Sequence, residues 1–287
     1  MALPAHPVLC AILGHPVGHS LSPAIHNAGY EALGLGYLYV AHDVAPGDLG
    51  PAISGARALG YRGLSVTIPH KVAAMDHVGY VDPTARRIGC VNTIVNRGGE
   101  LCGYNTDGLG ALEALRAHDV DPSGQRVVVL GSGGAARAIT VTFAAEAAPS
   151  HISLLGIDQE ELRRLETSLR ELETSNISVH QLDQTQLARE LANASLLLQT
   201  TPIGMAPRID ASLVPPELLH TGLTVFDAVY TPRRTRLLSD AYAAGARIVP
   251  GLEMFLRQAL LQFRLFTQVE PPVEVMRAVL EQNLGQE

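Results

Sequence analysis

The sequence contains no tryptophan, its aromatic residues make up only 5% of 287 residues, and it has three cysteines: Cys10, Cys90 and Cys102. The number is odd, no Cys-x-x-Cys spacing occurs and Cys10 lies in an apolar run, so we expect no disulfide framework and a reducing compartment. No apolar run approaches the ~18–20 residues of a membrane-spanning helix. The N-terminus also lacks a basic segment followed by a long apolar stretch. We therefore expect a cytoplasmic protein with no membrane partner.

Basic residues are scarce as well. The chain has 21 lysines and arginines against 28 acidic residues, which gives a formal net charge of −7. A nucleic-acid-binding protein usually carries a basic patch, and basic pairs such as Arg163-Arg164 and Arg233-Arg234 lie among acids or turn residues. We expect no nucleic-acid partner.

A metal site is not expected either. His15, His19 and His26 have spacings that suit one helical face, but Pro16 and Pro23 interrupt any such helix. No cluster of cysteines or acids completes the set of ligands. The histidines therefore predict no bound metal.

Hydrophobic residues make up 47% of the chain, which is enough for full cores. Strand-like runs alternate with helical patterns in two series, a pattern typical of two α/β domains with parallel sheets. The first series of predicted strands is Val8–Leu13, Tyr37–Val40, Gly63–Ile68, Val91–Asn96 and Leu101–Tyr104. The second is Arg126–Leu130, Ile152–Leu155, Ile177–Leu182, Leu196–Gln199, Thr224–Ala228 and Arg247–Val249. Residues 108–118 form the predicted connecting helix, and Ser22 with Pro23 predicts a helix start with Ser22 as the N-cap.

A glycine-rich turn follows the first strand of the second series: Gly131-Ser132-Gly133-Gly134-Ala135-Ala136. It fits the pattern G-x-G-x-x-G/A between a strand and a helix, which is typical of dinucleotide-binding domains. The glycines allow a tight turn and the close approach of a pyrophosphate, and the helix N-terminus offers free N–H groups to the anion. The alternative is a tight turn that binds nothing.

Asp158 ends the next strand, where an acid can accept hydrogen bonds from the unphosphorylated ribose of NAD. The 2′-phosphate of NADP would meet a like charge there, and no arginine lies in Gly156-Ile157-Asp158-Gln159 to offset it. We therefore expect NAD to be favoured over NADP. Asp158 can also serve as the N-cap of the following helix, a role compatible with ribose binding.

Short polar segments mark the ends of strands in the first domain, where parallel α/β sheets bind ligands. They are Ser20-Leu21-Ser22-Pro23, the segment from Ser65 to Lys71, Gly89-Cys90-Val91-Asn92-Thr93 and Asn105-Thr106-Asp107-Gly108. Thr201-Pro-Ile-Gly-Met205 and the segment from Gly251 to Gln258 follow later. In this order the segments closely resemble those of the shikimate dehydrogenase family, including its quinate/shikimate branch, over nearly the whole chain.

The resemblance implies a fold, a reaction and a set of site residues. The implied substrate domain covers residues 1–107, the Rossmann-type dinucleotide-binding domain covers residues 108–250, and C-terminal helices at 251–287 return to the first domain. The family interconverts shikimate and 3-dehydroshikimate with a nicotinamide cofactor. Its catalytic pair falls on Lys71 and Asp107. Its substrate-binding positions fall on Ser20, Ser22, Thr67, Asn92, Tyr230 and Gln258. Besides the glycine turn and Asp158, its cofactor-binding positions fall on Thr201, Met205, Val229 and Gly251.

The chemistry agrees with these roles. Hydride addition to a ketone leaves developing negative charge on oxygen, which a nearby ammonium can stabilise and protonate. An aspartate beside the lysine orients it and favours its charged form. Two serine hydroxyls at a helix N-terminus suit a carboxylate.

Three departures from the family pattern are informative. Ser65 replaces a common asparagine, and Gln199-Thr200-Thr201 replaces a common Asn-Ala-Thr. Gly156-Ile157-Asp158 replaces the Asn-Arg-Thr/Ser of NADP-dependent members, which favours NAD with NADP as the alternative. We therefore consider a shikimate dehydrogenase, an NAD-dependent quinate/shikimate dehydrogenase with a catabolic role, and a non-catalytic metabolite-binding module on the same scaffold, each a monomer or homodimer.

Overall fold

The structure is a computed structural model that describes residues 5–170 and 176–284. The chain divides into two compact units, of which the first comprises Met1–Thr106 with Gln258–Glu287 and the second comprises Asp107–Arg257. The outer ends of the predicted domain segments, residues 1–4 and 285–287, lie outside the described residues.

The described residues form twelve strands and ten α-helices. The strands are β1 (Val8–Gly14), β2 (Tyr37–Asp43), β3 (Gly63–Val66), β4 (Tyr80–Val81), β5 (Thr93–Arg97), β6 (Glu100–Tyr104), β7 (Arg126–Leu130), β8 (His151–Gly156), β9 (Ile177–Gln181), β10 (Leu196–Gln199), β11 (Thr224–Asp227) and β12 (Arg247–Pro250). The helices are α1 (Ser22–Ala32), α2 (Leu49–Ala58), α3 (Pro83–Ile88), α4 (Asp107–Arg116), α5 (Gly134–Glu146), α6 (Gln159–Arg170), α7 (Gln184–Leu191), α8 (Arg236–Ala243), α9 (Gly251–Thr267) and α10 (Val273–Leu284).

The sheet of the first unit has the order β2-β1-β3-β5-β6-β4. β1 pairs in parallel with β2 and β3, whereas β5 pairs antiparallel with β3 and β6. Gly98 and Gly99 have φ angles of +65° and +99° in the turn that joins β5 and β6 into a hairpin. The five residues that end β1 are all buried, as expected for a parallel strand covered on both faces.

The sheet of the second unit is parallel throughout, with the order β12-β11-β10-β7-β8-β9. Numbered within the unit, this is the Rossmann order 3-2-1-4-5-6 read from its other edge. The order reverses between β7 and β10, which is where α/β sheets of this kind bind ligands beyond the carboxyl ends of the strands. The predicted class, two α/β domains with a Rossmann-type second domain, is confirmed.

Two local features differ from the sequence-based expectation. α1 begins at Ser22, so the N-cap position falls on Leu21, which makes no side-chain cap. The prediction of Ser22 as N-cap was wrong because the Ser20 hydroxyl accepts the hydrogen bond from the Ser22 amide instead, at 3.3 Å. The six-residue helix α3 was not predicted, although Asp82 caps its start and Gly89, with φ +75°, ends it.

The C-terminal part of the chain completes the core of the first unit. α10 packs against α1, and a Cβ atom on Gly29 of α1 would lie 2.8 Å from the ring of Phe263 and 3.2 Å from the sulfur of Met276. A Cβ on Gly63 would lie 2.1 Å from Phe266. Glycine is therefore required at both positions, since a larger residue would displace α9 or α10.

Candidate active site

The loop after β3 carries Thr67 and Lys71, and backbone hydrogen bonds hold it at both ends. The Thr67 amide donates to the Leu13 carbonyl at 2.9 Å, and the Lys71 carbonyl accepts from the Val91 amide at 2.8 Å. A Cβ on Gly14 would lie 2.4 Å from the Thr67 methyl group, so β1 and this loop approach as closely as glycine allows. The loop therefore presents a half-buried lysine on a fixed backbone.

His70 anchors the same loop from the inside. Its side chain is buried, and its Nε2 lies 2.8 Å from the carbonyl oxygen of Val44. A carbonyl can only accept, so Nε2 carries the proton and the ring is held in one orientation. No role for His70 could be assigned from the sequence, because nothing in the local pattern identifies Val44 as its partner.

Asn92 lies just before β5 and is buried. Its Oδ1 accepts from the Thr106 amide at 2.9 Å and from the Thr93 hydroxyl at 2.7 Å, and its Nδ2 donates to the Thr106 hydroxyl at 3.0 Å. Asn105 donates to the Cys90 carbonyl at 3.1 Å. The Asn-Thr pair that precedes Asp107 is thus fixed to the segment 90–92.

Asp107 is the first residue of the second unit and of α4, and it is buried. The glycine that follows it packs α4 against α5. A Cβ on Gly108 would lie 2.0 Å from the Thr142 hydroxyl and 2.4 Å from the Ala138 carbonyl. The glycine of the Asn-Thr-Asp-Gly segment thus has a packing role.

The other predicted substrate-binding residues are distributed over both units. Ser20 and Ser22 lie at the start of α1, and Gln258 lies on the part of α9 that belongs to the first unit. Tyr230 belongs to the second unit, where its ring centroid lies 4.8 Å from that of Phe255. Lys71 and five of the six predicted substrate-binding residues thus belong to the first unit.

The glycine turn of the second unit has the geometry that the pattern predicts. Gly131 has φ +121°, and a Cβ there would lie 2.6 Å from the Thr200 hydroxyl. Gly133 is the N-cap residue of α5 and has open space where a Cβ would project. Gly134 and Ala135 open the helix, so the amides of its first turn are oriented as an anion site requires.

The N-terminus of α6 lies beside this turn. Asp158 Oδ1 accepts from the amides of Glu160 and Glu161, each at 2.9 Å, so Asp158 caps the helix. The Ser132 hydroxyl of the glycine turn donates to Glu161 Oε2 at 2.7 Å. A Cβ on Gly156 would lie 3.0 Å from the Ser132 Cβ, so glycine at the end of β8 allows this approach. Two carboxylates therefore lie at this end of the sheet.

The loop from Thr201 to Met205 is shaped by a buried glutamine at its start. Gln199 accepts from the Thr201 amide at 2.8 Å and donates to the carbonyls of Thr201 and Ile203 at 3.1 and 3.0 Å. Thr201 is partly buried and Met205 is exposed. Gln199 therefore closes the loop on itself.

Asp227 organises the segment that contains Val229, and no sequence motif pointed to Asp227. Its carboxylate accepts from the Val229 amide at 3.0 Å and from the Thr235 hydroxyl at 2.6 Å. Burial raises the pKa of Asp227 to about 6, although both hydrogen bonds oppose the change. A Cβ on Gly251 would lie 2.6 Å from the carbonyls of Asp227 and Val229, so this position also requires glycine.

Comparison with known proteins identifies the family. Residues 12–94 match the shikimate dehydrogenase substrate binding domain, and residues 251–281 match the shikimate 5′-dehydrogenase C-terminal domain. The shikimate dehydrogenase (NADP(+)) of Moorella thermoacetica is 44% identical over 277 residues, which cover 96% of this chain and 94% of the relative. The chain belongs to the shikimate dehydrogenase family.

Two solved structures extend the comparison. The shikimate 5-dehydrogenase of Listeria monocytogenes, in complex with shikimate and NAD, is 32% identical with a TM-score of 0.91 and 98% coverage of both chains. The quinate dehydrogenase of Corynebacterium glutamicum, in complex with NAD, is 27% identical with a TM-score of 0.88, covering 96% of this chain and 99% of that one. Membership of the shikimate dehydrogenase family confirms the predicted reaction, the reversible interconversion of shikimate and 3-dehydroshikimate.

The composition sets Lys71 apart from the other predicted site residues. Lys71 is the only lysine in the chain, so the other 20 of its 21 lysines and arginines are arginines. An arginine carries the same charge but does not release its proton near neutral pH. Lys71 therefore carries the one lysine ammonium of the chain, a group that releases a proton more readily than a guanidinium does.

The histidines do not gather around a common centre. His15 Nδ1 lies 2.5 Å from Asp43 Oδ1, while His26 is fully buried and stacks on Tyr39 with ring centroids 4.4 Å apart. Over residues 5–170 and 176–284, no group of three or more potential metal-ligating side chains occurs. None of the helices described in these ranges is long and apolar enough to cross a bilayer.

Proposed function

We propose that Lys71 and Asp107 are the catalytic pair of this shikimate dehydrogenase and that NAD is its preferred cofactor. The observation that carries the first part is the single lysine of the chain, which stands in the loop fixed by Thr67, His70 and Val91. The Lys71 carbonyl and the residue before Asp107 are both hydrogen-bonded to the segment Val91–Asn92, which supports a shared role.

A bound nicotinamide cofactor supplies the hydride for reduction of the ketone and accepts it in the reverse direction. In the reductive direction the Lys71 ammonium stabilises the negative charge that develops on the substrate oxygen and gives it a proton. In the oxidative direction the neutral amine takes that proton back. Asp107 orients Lys71 and accepts a hydrogen bond from a substrate hydroxyl.

The remaining substrate contacts are proposed for Ser20, Ser22, Thr67, Asn92, Tyr230 and Gln258. The two serines supply hydroxyls to the substrate carboxylate, and the other four contact its oxygens. Hydrogen-bonding groups of this kind discriminate strongly against analogues that lack a hydroxyl, since the missing partner leaves a polar atom of the occupied site unsatisfied.

Cofactor contacts are proposed for Gly131, Ser132, Gly133, Gly134, Ala135, Asp158, Thr201, Met205, Val229 and Gly251. The preference for NAD is supported by Asp158 and by the Ser132–Glu161 hydrogen bond, which holds a second carboxylate against the glycine turn. A 2′-phosphate would meet two like charges there, whereas ribose hydroxyls can donate to a carboxylate. The Moorella relative is named for NADP(+) and the Listeria structure contains NAD, so the preference must be measured.

The decisive measurement is kcat/KM for shikimate and for quinate, each with NAD and with NADP. We expect shikimate with NAD to give the highest value. A higher value with NADP would contradict the cofactor assignment while leaving the catalytic pair intact.

A second candidate is an NAD-dependent quinate/shikimate dehydrogenase. The NAD-bound quinate dehydrogenase of Corynebacterium glutamicum, with a TM-score of 0.88, favours it. In that case quinate turnover with NAD would equal or exceed shikimate turnover in the same four measurements. Cytoplasmic location and a monomeric or homodimeric state stay predictions from the sequence.

A further inference from the structure

A line of buried hydrogen bonds runs through the first unit behind Asn92. It starts at Tyr39 of β2, whose hydroxyl donates to the Ser65 hydroxyl at 2.6 Å. Ser65 donates to Gln262 Oε1 at 2.8 Å, and Gln262 Nε2 donates to the Thr93 hydroxyl at 3.0 Å. Thr93 then donates to Asn92 Oδ1 at 2.7 Å. All five side chains are buried.

Each link in this line fixes the direction of the next. The Tyr39 phenol uses its hydrogen on Ser65, so the Ser65 hydrogen is directed to the Gln262 carbonyl oxygen. The amide nitrogen of Gln262 must then face Thr93, whose own hydrogen is directed to Asn92. Reversing the side-chain amide of Gln262 or of Asn92 would break several of these hydrogen bonds at once. The buried polar groups left unpaired would be costly, so both amides are held in one orientation.

Gln262 is the centre of the arrangement. Ser65 on β3 and Thr93 on β5 are directly opposite each other in the sheet, and the amide of Gln262 joins their two hydroxyls. Gln262 also lies one helical turn after Gln258 on α9, so the two side chains share a face. It thus links the strand end at Asn92 to the helix turn that carries Gln258.

We propose that Gln262 is a positioning residue for substrate binding, which sets the orientation of the Asn92 amide through Thr93. Ser65 has the right length for this role. Its short side chain leaves room for both the Tyr39 hydroxyl and the Gln262 amide. The inference rests on the proposed contact of Asn92 with substrate.

The test is a double-mutant cycle with Gln262→Met and Asn92→Ala. Methionine keeps the length of the side chain and removes its hydrogen bonds. We expect Gln262→Met to raise the KM and the calorimetric Kd for shikimate about tenfold, the size of one or two lost buried hydrogen bonds, and to leave the KM for NAD unchanged. In the Asn92→Ala background the same substitution should have no further effect, because its effect acts through Asn92.

Thr140→Val is the matched control. Thr140 is buried on α5 of the second unit, and its hydroxyl has no hydrogen-bond partner in the described part of the chain. Thr93→Val, the same change of side chain, should raise the shikimate KM, whereas Thr140→Val should not. If Gln262→Met does not fold, Tyr39→Phe removes one bond at the far end of the line, and about a threefold rise in KM is expected.

The outcomes separate the two assignments. Equal fold-changes for Gln262→Met in both backgrounds would overturn the positioning role and leave Asn92 as a substrate contact. An unchanged shikimate KM in Asn92→Ala alone would overturn the proposed contact of Asn92, and the inference about Gln262 with it.

Discussion

Lys71 can be studied without interference from any other side chain, because it is the only lysine among 287 residues. A protein labelled with ¹⁵N-lysine gives one side-chain ammonium resonance. If Lys71 contacts the substrate oxygen, shikimate must shift this resonance. A resonance that does not respond to shikimate or NAD would contradict the assignment.

Substitution of Lys71 separates its charge from its proton. We expect Lys71→Ala to lower kcat by ~10²–10⁴-fold while shikimate still binds. Lys71→Arg should be nearly as inactive, because guanidinium keeps the charge but does not release a proton near neutral pH. The kcat values of the two variants show whether catalysis needs the charge or the proton of Lys71. A wild-type kcat in Lys71→Arg would show that only the charge matters.

At the N-terminus of α6, Asp158 combines a structural role as helix cap with a proposed role in cofactor binding. Asp158 caps the helix through the amides of Glu160 and Glu161. Its carboxylate is also proposed to receive the ribose of NAD. A test of the cofactor role must therefore preserve the cap.

Asp158→Ser preserves it, since serine is a good N-cap without charge, whereas Asp158→Ala loses both the cap and the charge. We expect both variants to bind NAD more weakly and to raise the NADP/NAD ratio of kcat/KM by about tenfold, the effect of one screened like-charge contact. Only Asp158→Ala should also lose about 1 kcal/mol of stability in urea unfolding. If Asp158→Ser keeps the wild-type ratio, the cap is the main role of Asp158.

Elements with a strong pattern were predicted well. The β-branched run of β7 followed by Gly131 identified the glycine turn, and the predicted strand Arg126–Leu130 has the bounds of β7 in the structure. α3 was missed because six residues are too few for a helical period to be recognised. The cap of α1 was misassigned because the sequence does not show that Ser20, two residues earlier, accepts from the Ser22 amide.

At the scale of the whole molecule, the two units contain buried groups with opposite responses to pH. In the first unit burial lowers the pKa of His26 from 6.5 to about 3. Between these values the unfolded chain binds a proton that the folded chain does not, so stability falls as the pH falls. In the second unit burial raises the pKa of Asp227 from 3.8 to about 6, so the folded chain keeps a proton that the unfolded chain releases. Stability there falls as the pH rises from about 4 to about 6.

The prediction is that acidification from pH 6.5 to pH 4 destabilises the first unit through His26 and stabilises the second through Asp227. His26→Phe should remove the acid destabilisation of the first unit. Asp227→Asn should remove the acid stabilisation of the second unit, which amounts to roughly 3 kcal/mol. Hydrogen exchange of core amides, corrected for intrinsic rates, measures the stability of each unit separately. The same pH response of the second unit in wild-type protein and Asp227→Asn would refute the role of Asp227.

The sequence by itself determined the two α/β domains, the dinucleotide turn and the family, because these depend on local periodicity and on the spacing of nearby residues. The family resemblance pointed to Lys71, and the position of Asp158 at the end of a strand pointed to a cofactor contact; both roles stay predictions. Only the tertiary structure decided the partners of the buried polar groups: His70 with the Val44 carbonyl, Asp227 with Thr235, and Gln262 with Ser65 and Thr93. Such pairs join residues from different elements, and a buried polar group must find a partner wherever the fold brings one within hydrogen-bond distance.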